Sequence, residues 1–176
     1  PHSDSARAVY KIKYFDMPDI GVDIGETMGK MMKEARFTDD IDVILPVPLA
    51  KERKRQRGFN QSEMIAQGIS YATGIRVVTG AVSRVSFHGS QTKRDRQGRT
   101  ENVENAFRLK NGKLVTGKHV LIVDDIVTTG ATIVAMAKQI TQLPGVRVSV
   151  AAIGFAGERI YANSDDKDEE DNIFSQ

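Results

Sequence analysis

Residues 119–132 read HVLIVDDIVTTGAT, and the rest of the chain is legible as scaffolding around them. Val120, Leu121, Ile122 and Val123 form an unbroken apolar run with β-branched members, the pattern of a strand buried on both faces. Two adjacent carboxylates, Asp124 and Asp125, are expected to stop that strand. Ile126 and Val127 follow, then Thr128, Thr129, Gly130, Ala131 and Thr132, then a helical pattern over 133–143. The layout is strand, acidic pair, hydroxyl-and-glycine turn, helix.

Such a turn can present hydroxyls and backbone N–H groups to a phosphate, with the helix dipole adding to the attraction. Gly130 permits a close backbone approach or a positive φ. The acidic pair lies on the same rim, where its oxygens can accept bonds from sugar hydroxyls or hold hydrated Mg²⁺. An ordinary buried strand with a capped helix after it would explain part of this run, but not its whole order.

A chain of 176 residues, 40% hydrophobic and 27% charged, fits one soluble globular domain with a real core. No apolar run nears the roughly 18 residues a membrane-spanning helix requires, so no membrane insertion is expected. No secretory signal is legible, which makes the cytoplasm the default location. With no cysteine, disulfides and cysteine-based zinc sites are excluded within this sequence. His2, His88 and His119 show no ligand spacing. The formal net charge of +2 hides an uneven spread: basic clusters at 51–57 and 93–99 oppose an acidic stretch at 165–171. The body without that tail suits a polyanionic small molecule or nucleic acid.

Residues 1–6 read as a remnant or linker, and 7–14 are ambiguous between helix and strand. Ile20, Ile24, Met28 and Met31 follow helical spacing, while Gly21, Gly25 and Gly29 make a small-residue stripe read as a packing contact. Residues 41–45 are a buried-strand candidate ending in Pro46, Val47, Pro48 and Leu49, a rigid turn poor in amide donors. Asn60 is a plausible N-cap, with Glu63 three residues on and Phe59 able to staple against Met64; Gln61 is likewise read as a capping residue rather than a ligand contact. The helix that follows carries Ile65 and Ile69 and stops near Gly74. Residues 76–85 form a strand pair or one broken strand, 106–109 and 146–153 further strands. Between them, 87–105 is polar, aperiodic and too long for a simple connection, as lids and binding loops are. Strands alternating with helices, each strand almost continuously apolar, indicate a parallel sheet covered on both faces. Ligands of such sheets bind beyond the carboxyl ends of the strands, where the proline turn, the polar loop and the 124–132 turn should meet.

The 119–132 stretch closely resembles the phosphoribosyl pyrophosphate (PRPP) motif of type I phosphoribosyltransferases, an apolar strand, two acidic residues, two apolar residues and a Thr/Gly-rich loop, with every position filled. Together with PVPLAKERKRQRGFNQSE at 46–63 and QTKRDRQGRTENVENAF at 91–107, it makes the chain resemble the ComF family (ComFC-like competence proteins) over residues 7–157. The resemblance implies an α/β type I phosphoribosyltransferase fold, a parallel Rossmann-like sheet flanked by helices with a flexible loop over the site. It implies a phosphoribosyltransferase domain at 7–157 and a polar acidic tail at 158–176. Many members carry an N-terminal cysteine-rich zinc module, which this cysteine-free sequence does not contain.

Carried onto this sequence, the resemblance gives Asp124 and Asp125 the ribose hydroxyls and Mg²⁺, directly or through water. Thr128, Thr129, Gly130, Ala131 and Thr132 would cradle the 5′-phosphate. Pro46, Val47, Pro48 and Leu49 would face pyrophosphate, helped by Arg57 and Arg99, while Lys93 and Arg94 close over the leaving group. Arg57 also reads as a surface residue at a helix end, and the loop cations, Arg96 among them, as solvated surface. The implied reaction transfers phosphoribose from PRPP to a nucleobase-like acceptor with release of pyrophosphate. Hypoxanthine-type enzymes carry an Asp where Thr128 stands, which makes a hypoxanthine or guanine acceptor less expected. The alternative is a non-catalytic PRPP-sensing or single-stranded-DNA-binding module acting in competence, with competence proteins as partners. A homodimer is expected only by analogy with the fold class.

Overall fold

The computed structural model describes residues 18–85 and 106–155. Its centre is a parallel sheet of strands β1 (Val43–Pro46), β2 (Arg76–Val77), β5 (His119–Val127) and β6 (Arg147–Phe155), in the order β2-β1-β5-β6. Strands β3 (Val82–Arg84) and β4 (Phe107–Leu109) form a separate antiparallel pair in which Arg84 faces Phe107. The helices are α1 (Pro18–Glu34), α2 (Lys51–Arg57), α3 (Gln61–Thr73) and α4 (Ala131–Ile140).

Strand alternation divides the sheet's side chains between two cores. Ile44, Leu121 and Val123 point to one face and pack with Ile65, Ala66 and Ile69 of α3. Val43, Leu45, Val120 and Ile122 point to the other, with Ile133, Met136 and Ile140 of α4 and Phe107 of β4. Both faces of the two central strands are therefore buried, which is why their sequences read as apolar without a break.

Helix α1 lies outside α3, and its glycine stripe explains how. A Cβ on Gly25 would collide with the Ile65 carbonyl oxygen, and one on Gly68 of α3 with that of Val22. Gly21 and Gly29 are tight as well but less so, a Cβ at either falling 2.8 Å from the Met64 and Ala72 side chains respectively. The stripe is the surface on which the two helices touch. It also sets the rotation of α1, so that Met28 and Met32 reach the core while Met31 is 64% exposed, against the sequence expectation for Met31.

Two other expectations, the end of the central strand and the cap of α3, are corrected. The acidic pair does not stop the central strand: β5 runs through it to Val127 and pairs with β6 as far as Val127 against Phe155. A parallel neighbour supplies hydrogen bonds that an apolarity reading does not see. The basic cluster at 51–57 is a short helix, α2, ended by Gly58 at φ 76°. Asn60 stands at the N-cap position of α3 without a side-chain cap bond, because its amide is engaged elsewhere. Glu63 correspondingly pairs with Lys54 at 2.9 Å instead of closing a capping box. Residues 76–85 are two separate strands in different sheets. Among the described residues, no helix is long and apolar enough to cross a membrane.

Candidate active site

The proline turn and the acidic pair meet because β1 and β5 are neighbours in register. Pro46 pairs with Val123, and Val47 N–H donates to the Val123 carbonyl at 2.9 Å, so the turn leaves the sheet level with Asp124. The chain runs outward from β1 to β2 on one side and from β5 to β6 on the other, so the β1/β5 boundary is where strand order reverses. A crevice opens at that point in open α/β sheets.

Each carboxylate of the pair is fixed at one oxygen. Asp124 Oδ1 accepts from Ser62 Oγ at 3.1 Å and from Asp125 N–H at 2.9 Å. Asp125 Oδ1 accepts from Ile126 N–H at 2.8 Å. Neither Oδ2 accepts a bond from an N–H or O–H donor among the described residues, and the two carboxyls interact side chain to side chain. Asp124 is 9% exposed, and burial, followed by the adjacent Asp125 charge, pushes its carboxyl up to about 6, the side-chain interaction with Asp125 adding to the rise. The bonds from Asp125 N–H and Ser62 oppose that shift without cancelling it.

Beyond the pair, Thr128 and Thr129 are exposed, while Gly130, Ala131 and Thr132 are half-buried. Gly130 adopts φ 75° as the residue before α4, and no side chain caps the helix. Ala131 N–H makes only a long 3.4 Å contact to Thr129 Oγ1. The first turn of α4 thus presents backbone donors, a threonine pair and a dipole's positive end to an anion.

The proline turn offers less backbone than its position suggests. Pro46 and Pro48 have no N–H, and Val47's is taken by Val123. The Val47 carbonyl accepts from Asn60 Nδ2 at 2.9 Å. Leu49 alone of the four retains a donor without a partner among the described residues, so an anion here depends on neighbouring cations.

Those cations include one that sequence reasoning missed. Arg84, on β3, is half-buried with its guanidinium 5.4 Å from the centre of the Phe107 ring. Burial lowers its pKa, the charge of Arg53 on α2 lowers it further, and the charge of Asp124 raises it. Arg53, Arg84 and Asp124 therefore share one electrostatic neighbourhood. Val85 N–H donates to the Ala106 carbonyl at 2.8 Å, so the residues on either side of 86–105 meet, next to Arg84 and Phe107. Arg57, at the end of α2, is half-buried. Lys93, Arg94, Arg96 and Arg99 lie outside the described residues, as do residues 1–17 and the acidic tail.

Ser62, Asn60 and Gln61 were also missed as site residues. All three are 2–4% exposed, and Gln61 Nε2 is buried with no hydrogen-bond partner among the described residues. Their signal in the sequence was hidden because Asn, Gln, Ser and Glu at a helix start have a sufficient explanation in capping.

The donor set fits a hard divalent cation held in part by its ligand. Two crowded carboxylates, one with a raised pKa, are relieved by positive charge, and their free oxygens suit Mg²⁺. No cluster of three or more His, Cys, Asp or Glu capable of holding a metal occurs among the described residues, so Mg²⁺ would need oxygens from water and phosphates.

Comparison with known proteins assigns the class: the chain belongs to the phosphoribosyl transferase domain family, whose pattern matches residues 29–169. Within it the chain is of the ComF type. It is 33% identical over 133 residues to the DNA utilization protein YhgH of Escherichia coli O6:H1, covering 74% of this chain and 58% of that protein. It is 33% identical over 128 residues to competence protein F of Haemophilus influenzae, covering 68% and 56%. Competence protein ComFC of Bacillus subtilis is 30% identical over 117 residues, covering 63% and 41%. The chain thus spans between 41% and 58% of the length of these relatives. Among solved structures, it superposes on the glutamine PRPP amidotransferase from B. subtilis with a TM-score of 0.55 at 22% identity, covering 85% of this chain and 30% of that one. An adenine phosphoribosyltransferase gives 0.53 at 17% identity, covering 80% and 72%. These likenesses establish the type I phosphoribosyltransferase fold.

Proposed function

We propose that the chain is a Mg²⁺-dependent phosphoribosyltransferase that moves phosphoribose from PRPP to a nucleophilic acceptor and releases pyrophosphate. One observation carries the reading: two adjacent carboxylates, each with one oxygen bonded and one free, followed at once by the uncapped start of α4. The free oxygens suit a ribose diol and Mg²⁺, and the Thr128–Thr132 turn suits the 5′-phosphate.

In the reaction the bond from ribose C1 to pyrophosphate oxygen breaks and a bond from C1 to the acceptor forms, with the acceptor's proton leaving. Positive charge builds on the sugar ring while negative charge builds on pyrophosphate. Asp124 and Asp125 hold the diol and lie on the sugar's side of that separation. The turn at Pro46, Val47, Pro48 and Leu49 lies on the pyrophosphate side with Arg53, Arg57 and Arg84, and Lys93, Arg94 and Arg99 belong to the stretch between Val85 and Ala106, which meet near Arg84. Fixed cations aimed at developing negative charge lower the barrier with no reorganisation at the moment of reaction. Mg²⁺, when bound, neutralises further charge on the leaving group. The test is a screen of nucleobases with PRPP and Mg²⁺, reading pyrophosphate release. Release with one base, lost in Asp124→Asn, supports the reading, and no release with any base contradicts catalysis.

A second reading is favoured by α2, whose Arg53, Lys54 and Arg55 are all exposed, and by relatives named for DNA utilization and competence. On it, the chain binds single-stranded DNA and uses PRPP as a signal. Backbone phosphate contacts make affinity fall steeply with salt, so absence of binding at low salt removes this reading.

A further inference from the structure

Residues 60–62 at the start of α3 hold both sides of the crevice. Asn60 Nδ2 donates to the Val47 carbonyl, 2.9 Å away, and so grips the proline turn. Ser62 Oγ donates to Asp124 Oδ1, 3.1 Å away, and so grips the acidic pair. Both side chains are buried, at 2% and 4% exposure, and neither caps its own helix. The helix behind them is anchored: Ile65, Ala66 and Ile69 are fully buried under the sheet, and Gly68 is pressed against α1. Val47 is held from its other side by Val123, and Asp124 Oδ1 also takes Asp125 N–H, so each grip completes a local network.

The geometry points to a strut. We propose that Asn60 and Ser62 are positioning residues, which fix the distance between the pyrophosphate turn and the diol-binding carboxylates by tying each to one rigid helix turn. Asn60 orders the turn and Ser62 selects the carboxylate rotamer that leaves Asp124 Oδ2 facing the ligand. The functional half of this assignment rests on the PRPP reading; the structural half does not. An Asn60 side chain turned so that its Oδ1 accepted from the first turn of α3 would take Nδ2 away from the Val47 carbonyl, so the missing cap is part of the device. It also divides the labour by residue: each side chain serves one half of a two-part ligand.

Amide hydrogen exchange on the ligand-free protein tests the strut, and calorimetry with Mg²⁺ tests its consequence. In Asn60→Ala, exchange should rise at Val47 and not at Asp125; in Ser62→Ala, at Asp125 and not at Val47. Asn60→Ala should bind pyrophosphate about tenfold more weakly with ribose 5-phosphate little changed, and Ser62→Ala should show the reverse, each loss being of the size of one hydrogen bond. Ser62→Thr, which keeps the hydroxyl, should restore ribose 5-phosphate binding. If the alanine variants do not fold, the near-isosteric Asn60→Leu and Ser62→Cys take their place. Exchange that rises at both walls in both variants overturns the strut, as do equal losses for the two ligands. If exchange is selective while the wild type binds neither ligand, the strut stands and the PRPP reading falls.

Discussion

Ser62 Oγ lies 3.1 Å from Asp124 Oδ1, joining the first turn of α3 to the carboxyl end of β5 across 62 residues of sequence. Asp125 N–H takes the same oxygen at 2.9 Å. That oxygen is filled, and whatever Asp124 does for a ligand it does through Oδ2. Burial and Asp125 nevertheless keep its carboxyl near 6, so these bonds do not compensate the cost of ionising it.

This sets a pH dependence of stability. The folded-state pKa is above the ordinary value of 3.8, so the folded protein holds this proton more tightly than the unfolded chain does. Its contribution to stability is fully present below about pH 3.8 and is lost as pH rises through about 6. A shift of about two units corresponds to roughly 3 kcal/mol at most. Asp124→Asn keeps the acceptor for Ser62 and Asp125 but cannot ionise. Its melting temperature should exceed the wild type's at pH 8 and match it near pH 4, checked by thermal melts across that range. Mg²⁺–PRPP affinity of the wild type should rise through the same interval.

Gln61 Nε2 is buried without a partner among the described residues. Gln61→Leu removes that group at similar volume and should stabilise the ligand-free protein by about 1 kcal/mol in urea unfolding, since an unsatisfied buried amide costs roughly that or more. A loss of stability would mean that the amide is satisfied in solution.

Gly130 has open space where a Cβ would stand, but its φ of 75° is a left-handed conformation. Gly130→Ala should therefore fold normally and lose about 1–2 kcal/mol through backbone strain alone. Unchanged stability in a denaturant titration would show that the turn relaxes.

Gly25 is different in kind. Its Cβ would meet the Ile65 backbone carbonyl, which cannot rotate away. Gly25→Ala should cost about 3 kcal/mol or abolish folding, because α1 and α3 must separate. Circular dichroism and melting temperature distinguish this from the modest effect at Gly130.

The strand, acidic pair and threonine–glycine turn of the candidate site were legible because they are local. Strand, acidic pair, threonine–glycine turn and helix follow one another along 119–132, and each has a periodicity or a turn signal of its own. The proline turn was legible as a rigid segment, and β1 beside β5 brought it to Asp124 as the strand-end rule requires. What stayed hidden depends on contacts across the chain. Whether Val47 keeps its N–H is decided by Val123, and whether Asn60 caps its helix is decided by Val47. Arg84 sits in a three-residue strand with no motif around it, and only the pairing with β4 places it near Asp124. The strand's continuation through Asp124 and Asp125 was hidden likewise, since the bonds come from β6.

The central claim is that Asp124 and Asp125 hold the ribose of PRPP with Mg²⁺. Isothermal titration of Mg²⁺–PRPP into the wild type and into the Asp124→Asn/Asp125→Asn double variant at pH 8 tests it most directly. The account predicts saturable one-site binding by the wild type and at least a hundredfold loss in a double variant that remains folded. Equal binding by the two proteins, or none by the wild type, contradicts it.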